Sequence, residues 1–286
     1  MLTGTGKSTD HRKIVTVLDV GTSKVSCFIV ELGSAHREHR GFGRELPARL
    51  LGAGYHRSQG IKAGAIVDLA PAEQAIRTAV GRAERVAGLT VEDVVCSVGC
   101  GRVRSENFVA NARLAQRTVS DEDIAKVMAA GKTFVERDGR TLLHLHGLGF
   151  RLDGQTGIRN PRGMDGEELK VDINGVGADE PAVRNLSLLV ERCYLTLSGM
   201  YATPYASGLA VVTDEEAEIG VTCLDLGAGT TTLSIFGERQ FLYCDVIAVG
   251  GDHISYDIAN TLSTPLAEAE RIKTLYGNLV GAASDE

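Results

Sequence analysis

The chain has no tryptophan, and aromatic residues make up only 5% of its 286 positions. Its core must therefore be filled by Val, Leu, Ile and Ala, within a hydrophobic content of 43%. Positive charge is also short: 30 Lys and Arg face 37 Asp and Glu, a formal net charge of -7. That balance argues against nucleic-acid binding through bulk charge. No apolar run reaches the length of a membrane span, and the first eight residues lack the apolar centre of a signal peptide. A reducing, cytoplasmic compartment is the expectation. No nucleophile–base constellation is recognisable, and neither is the carboxylate pair of glycoside chemistry.

Metal-ligand spacing is lacking too. The cysteines are Cys27, Cys96, Cys100, Cys193, Cys223 and Cys244, and four lie in apolar surroundings where buried free thiols are expected. Cys96 and Cys100 form half of a metal pattern that no second pair completes. His36 and His39 lie in a polar, solvated loop, where a metal role would need partners that are not evident, and His144 and His146 alternate on one face of an expected strand and read as structural. Gly6-Lys7-Ser8 imitates the end of a Walker loop, but the glycine it needs falls on Met1 and no strand precedes it. Residues 1–12 read as a disordered leader.

What the chain does have is one pattern twice. Near the start stands Val17-Leu18-Asp19-Val20-Gly21-Thr22-Ser23-Lys24. About two hundred residues later stands Cys223-Leu224-Asp225-Leu226-Gly227-Ala228-Gly229-Thr230-Thr231-Thr232. Each copy predicts an apolar strand, an Asp at its end, a Gly/Thr turn and a return strand. A single Asp-x-Gly turn joins ordinary strands everywhere, but the repetition points to a duplicated nucleotide-binding fold. Glycine tolerates positive φ and lets backbone amides approach an anion, while Thr and Ser add hydroxyl donors. In that reading Gly21, Thr22, Gly227, Gly229, Thr230 and Thr231 cradle phosphates, and Asp19 and Asp225 hold Mg²⁺ through water. In the alternative reading each Asp bonds the amides of its own turn. Lys24 either reaches a phosphate or is simply solvated.

Between the copies, residues 49–55, 65–67 and 94–98 read as strands, and 71–87 as a helix with an apolar stripe from Ala72 to Val86, ended by Gly88. The order predicts a mixed α/β sheet with a crossover helix. A stretch of about ninety residues then reads as a small α+β insert with few strands. It holds a helix that Ser120 and Asp123 cap, strands at 141–151 and 170–175, and a loop at 154–165. Asp179-Glu180-Pro181 opens another helix, 203–210 is a small-residue segment suited to close helix packing, and 214–218 is an acidic loop. After the second copy come a strand at 240–249, a helix that Asp252 caps, and a last helix from Thr264-Pro265 to Gly277.

These residues resemble the actin-like ATPase superfamily. The two hairpins match its two phosphate motifs, and residues 204–210 resemble its first connecting segment. Within it the chain is similar to the bacterial FtsA family, through Ser58-Gln59-Gly60-Ile61-Lys62-Ala63-Gly64-Ala65-Ile66-Val67-Asp68-Leu69, through Gly157-Ile158-Arg159-Asn160-Pro161-Arg162-Gly163-Met164, and through the insertion point after 94–98. The resemblance implies an actin-like, duplicated ribonuclease-H-like α/β fold with a small inserted α+β subdomain. It implies ATP and Mg²⁺ between two lobes, weak ATPase turnover at most, and self-association into actin-like filaments. It also implies FtsZ tethering at the cytoplasmic face of the inner membrane at the septum, with later division proteins recruited through the insert.

The domains expected on this basis are a first lobe at 13–91, the insert at 92–178, a return helix at 179–200 and a second-lobe core at 201–263. An incomplete FtsZ-contacting subdomain would begin at 264–286, so the second lobe is expected to be incomplete. The family's adenine loop and amphipathic membrane helix find no counterpart before Glu286, so the expectation is a fragment or a truncated gene product with phosphate contacts but no full adenosine site. Ala228 stands where the superfamily often has glycine, which requires an ordinary backbone region there. A sugar- or acid-kinase relative using the same cleft is the alternative, and a pilus- or shell-associated actin-like protein is a third. The kinase reading calls for a further carboxylate base and gains if the insert covers the cleft.

Overall fold

The computed structural model describes residues 13–33 and 48–278. The expected leader, the loop carrying His36 and His39, and the tail after Asn278 lie outside the described residues.

The first copy of the motif folds as an antiparallel hairpin, β1 (Lys13–Val20) and β2 (Lys24–Leu32), with Asp19 opposite Ser26. β3 (Ala48–Arg57) pairs antiparallel with β2. A two-stranded ribbon, β4 (Ile61–Lys62) and β5 (Ala65–Ile66), leads into α1 (Leu69–Ala87). Asp68 caps that helix through the Ala70 amide, and Gly88 ends it in the left-handed region at φ 68°. Ala72, Ala75, Ile76, Ala79, Val80 and Ala83 are buried, but Val86 of the expected stripe is 67% exposed. α1 lies so close on β3 that a Cβ on Gly54 would stand 1.9 Å from the Ala79 carbonyl oxygen. β6 (Asp93–Val98) then runs parallel to β1.

The region after β6 has more strand than expected. β7 (Arg104–Arg113) precedes α2 (Asp121–Val135), and a short 3₁₀ turn at Arg137–Gly139 leads to β8 (Arg140–Leu152). β9 (Gln155–Ile158) occupies part of the expected loop, and β10 (Glu168–Asp179) is twelve residues long rather than six. β7 was hidden because its buried positions include Ser105, so apolar alternation fails there. The capping box at the start of α2 is present: the Asp123 amide donates to Ser120 Oγ at 3.2 Å, and the Ser120 amide donates to Asp123 Oδ2 at 3.0 Å.

α3 (Glu180–Arg192) returns to the first sheet, which β11 (Thr196–Ala202) completes by pairing parallel with β6. The order is β11-β6-β1-β2-β3. The small-residue segment is α4 (Thr203–Val211). It packs on a sheet, not on a helix, and a Cβ on Gly208 would lie 2.3 Å from the Phe236 ring. The acidic stretch is also helical, α5 (Asp214–Ile219), because Thr213 and Glu216 form a capping box.

The second copy forms β12 (Val221–Leu226) and β13 (Thr231–Gly237), followed by β14 (Gln240–Ile247). α6 (Gly251–Leu262) is capped at Gly250, and Asp252 lies within its first turn. α7 (Leu266–Tyr276) follows. The second sheet has the order β12-β13-β14-β7-β10-β8-β9. β14 meets β7 at a single backbone pairing, Asp245 opposite Arg104. Side chains complete that seam: Ser105 Oγ accepts from the Cys244 amide at 2.8 Å, and Asn174 Nδ2 donates to the Leu242 carbonyl at 2.9 Å. The main core runs from Leu18 to Cys244 through both hairpin units. A second cluster, including Val127, Leu169 and Ile173, fills the insert. Among the described residues no helix is long and apolar enough to cross a membrane.

Candidate functional site

The two motif copies close their turns with the same bond. The Gly21 amide donates to the Lys24 carbonyl at 3.1 Å, and the Gly227 amide donates to the Thr230 carbonyl at 2.9 Å. Each Asp stands two residues before its glycine and accepts a serine hydroxyl from a neighbouring element. Ser97 of β6 donates to Asp19, and Ser207 of α4 donates to Asp225 at 2.9 Å. The carboxylates are thus oriented by side chains, not by the amides of their own turns.

The hairpin glycines are needed for space, not for positive φ. Gly21, Gly227 and Gly229 all stay out of the left-handed region, and so does Ala228. A Cβ on Gly227 would meet the Thr230 carbonyl oxygen at 2.8 Å, and one on Gly229 would meet Thr22 at 2.7 Å. The tips of the two hairpins therefore touch. The β4–β5 turn completes the junction, with the Gly64 amide donating to Thr22 Oγ1 at 3.0 Å. Thr22 accepts there, which leaves its own O–H free to donate. Behind the second hairpin, the Gly251 and Asp252 amides donate to the carbonyls of Gly227 and Ala228 at 2.9 and 2.8 Å.

Between the hairpins lies a cleft of about 320 Å³ lined by Asp19, Gly21, Thr22, Lys24, Asp225, Gly227 and Thr230. Two expected residues stand elsewhere: Gly229 is buried against Thr22 and Ala63, and the Thr231 hydroxyl donates to the Val249 carbonyl at 2.8 Å. Lys24 Nζ is 5.8 Å from the centroid of the Tyr55 ring, at the limit of a cation–π contact. The sequence reading missed Ser23, Gly64, Gly99, Thr203, Ala228 and Thr232 in the lining, and Ser97 and Ser207 behind it. Ser23, Ala228 and Thr232 carried a readable signal, since they stand within the two motif copies, and Thr232 faces Asp225 in the hairpin register.

The volume is at the lower end of the range of about 300–1,000 Å³ usual for ligand pockets. Two carboxylates and several hydroxyls make an all-oxygen donor set. Among the described residues no three His, Cys, Asp or Glu side chains gather into a metal cage. The donor set fits Mg²⁺, which takes one or two carboxylates and keeps several waters. The cysteines are free, and all but Cys223 are buried. His144 and His146 stack on each other beside Tyr205, away from the cleft, and His144 Nε2 accepts from the Ala202 amide at 2.9 Å.

Residues 222–286 match the family model "Cell division protein FtsA", and residues 100–176 match "SHS2 domain inserted in FTSA". Over 96% of its length the chain is 41% identical to the cell division protein FtsA of Rhizobium meliloti. It is 30% identical over 94% of its length to that of Pseudomonas aeruginosa. The chain belongs to the FtsA family. It spans 62% of the length of these two relatives. Among solved structures it is similar to the PilM-PilN type IV pilus biogenesis complex, with a TM-score of 0.62 at 17% identity over 93% of this chain and 70% of that one. It is also similar to the ethanolamine utilization protein EutJ from Carboxydothermus hydrogenoformans, with a TM-score of 0.50 at 15% identity over 92% of this chain and 62% of that one. The fold is an actin-like α/β fold carrying the FtsA-type SHS2 insert. The 100–176 match begins two residues after β6 ends and stops within β10.

Proposed function

We propose that this FtsA-family protein binds ATP with Mg²⁺ between its two hairpins and acts in cell division as an actin-like assembly protein. It tethers FtsZ filaments to the cytoplasmic membrane at the septum and recruits later division proteins through the insert. The observation that carries the reading is the repeated turn, in which two serine-held aspartates, Asp19 and Asp225, line one cleft.

Bound Mg²⁺ would neutralise phosphate charge, held through water by Asp19 and Asp225. Thr22 and Thr230 offer hydroxyls from opposite hairpins, so a phosphate chain bridging them ties the two units together. Among the described residues no carboxylate besides those two aspartates lines the cleft, which supports nucleotide as a ligand that sets closure over rapid phosphoryl transfer. No residue of the 100–176 segment lines the cleft either, which favours the adaptor over a kinase.

Co-sedimentation with FtsZ polymers, with and without Mg-ATP, tests this. Recruitment that depends on Mg-ATP is expected, and Asp19→Asn or Asp225→Asn should weaken Mg-ATP binding by roughly 10–100-fold. Failure to pellet with FtsZ in either condition would discard the adaptor reading and turn attention to kinase substrates.

A further inference from the structure

A second cavity, of about 220 Å³, lies where the insert joins the rest of the chain, and it is lined by Arg102, Arg104, Arg137, Arg140, Glu106 and Asp179 among others. Each main carboxylate serves two guanidinium groups. Asp179 accepts from Arg102 Nε at 2.7 Å and Arg140 Nη1 at 3.2 Å. Glu106 accepts from Arg104 Nη2 at 3.2 Å and Arg137 Nη2 at 3.1 Å. The third carboxylate of the wall, Asp138, is 86% exposed and 3.6 Å from Arg137, where water weakens its effect. Arg102, 84% exposed, is screened in the same way, so the guanidinium groups of Arg104, Arg137 and Arg140 face Glu106 and Asp179, and the cavity keeps a small excess of positive charge.

The donors are held in place. Arg140 donates two further bonds, to the Arg102 and Gly177 carbonyls, and its side chain is only 12% exposed. Gly177 makes room for it: a Cβ there would stand 3.3 Å from Arg140 Nε and 2.9 Å from Val135. Arg137 lies flat on the Phe134 ring, 3.5 Å from its centroid. Arg102 and Arg104 each commit one N–H to a carboxylate, out of the five that a guanidinium carries. Burial, and then the charge of Arg104, lower the pKa of Arg140, while Asp179 and Glu106 oppose that shift.

Planar guanidinium forks from several sides suit a compact tetrahedral oxyanion. The volume falls below the range of about 300–1,000 Å³ that drug-sized ligands fill, so a whole nucleotide is too large. We propose that this cavity binds a small phosphate-class anion, inorganic phosphate or pyrophosphate, at a site separate from the hairpin cleft. Its walls come from the start of β7, the end of α2, the start of β8 and the end of β10 where it runs into α3. An anion there ties the insert to the element that leads back into the first sheet.

Phenylglyoxal modification followed by peptide mass spectrometry reads the site in the intact protein. The buffer contains EDTA, and ionic strength is held constant with chloride. Pyrophosphate is expected to slow modification of Arg104 and Arg137 by roughly tenfold, with Arg184 as the unprotected reference on α3. ATP is titrated in parallel. A lower midpoint for pyrophosphate assigns the site to free anions, and an equal midpoint assigns it to any exposed phosphate tail. Protection by ATP alone, or none of Arg104 and Arg137 beyond that of Arg184, overturns the proposal. The pair Arg104→Gln and Arg137→Gln should abolish pyrophosphate heats in titration calorimetry under the same conditions. Unchanged heats from the folded variant also overturn it, and the protection assay stands if the variant does not fold.

Discussion

Asp19 and Asp225 depend on residues far away in sequence. Ser97 and Ser207 orient them, and the neighbouring glycines are required because Thr22, Thr230 and Ala63 come too close for a Cβ. Alanine would push its methyl into the Thr230 carbonyl at Gly227 and into the Thr22 side chain at Gly229, without any φ penalty. The same scale yields a pH prediction away from the cleft. Burial, and then the nearby His146, push the pKa of His144 down from 6.5 to about 4, and burial lowers His146 as well. A base with a depressed folded pKa takes its proton later than the unfolded chain does. The stability His144 contributes is thus complete above pH 6.5 and is lost as pH falls from there towards about 4, and His146 loses its share in the same direction. Urea midpoints should stay level above neutrality and begin to fall below about pH 6.5, before most carboxylates titrate. Replacing both histidines with Gln should flatten that early fall, and an unchanged profile in the double variant would refute the assignment.

At the scale of elements, α4 shows how a local signal can be read in the wrong context. Its small residues let it approach a sheet, where Gly208 sits on Phe236 and Ser234. Phe236 is fully buried, so a methyl at this point cannot be absorbed by movement into solvent. Gly208→Ala is expected to destabilise the protein by about 1–3 kcal/mol through overpacking, read from chemical denaturation. A neutral result would mean that the Phe236 ring has room to shift. α5 teaches the opposite lesson: Thr213-x-x-Glu216 is a readable capping box, and it turns an acidic stretch into a helix.

The whole molecule has two cores. The larger runs through both hairpin units, and the smaller belongs to the insert. Side-chain bonds across the β7–β14 seam couple them in place of a continuous ladder. Ile173 is fully buried in the smaller core, and its loss should cost about 2–5 kcal/mol. Hydrogen exchange on Ile173→Ala is expected to accelerate in β7, α2, β8 and β10 while α1 keeps its protection. Equal acceleration in α1 would show that the two cores unfold as one unit.

The duplicated hairpins, α1 with its glycine stop, the α2 capping box and the two aspartates were all legible in the sequence, because each depends on neighbours within a few residues. β7 and β11 were not: Ser105 breaks the apolar alternation of β7, and in β11 the inward residues Leu197, Gly199, Met200 and Ala202 do not alternate. The same limit applies to the site. Motif spacing pointed to Asp19, Asp225, Thr22 and Thr230, which line one cleft, but Ser97, Ser207, Gly64 and Thr203 reach it only through chain folding. The arginine cavity has no local motif at all: Arg102 and Arg140 meet on Asp179 because strands far apart in sequence come together there. The sequence by itself determined the repeat and the carboxylates and hydroxyls it carries, which are local. The tertiary structure alone decided which side chains orient it and which charges gather elsewhere, since those depend on contacts between distant segments.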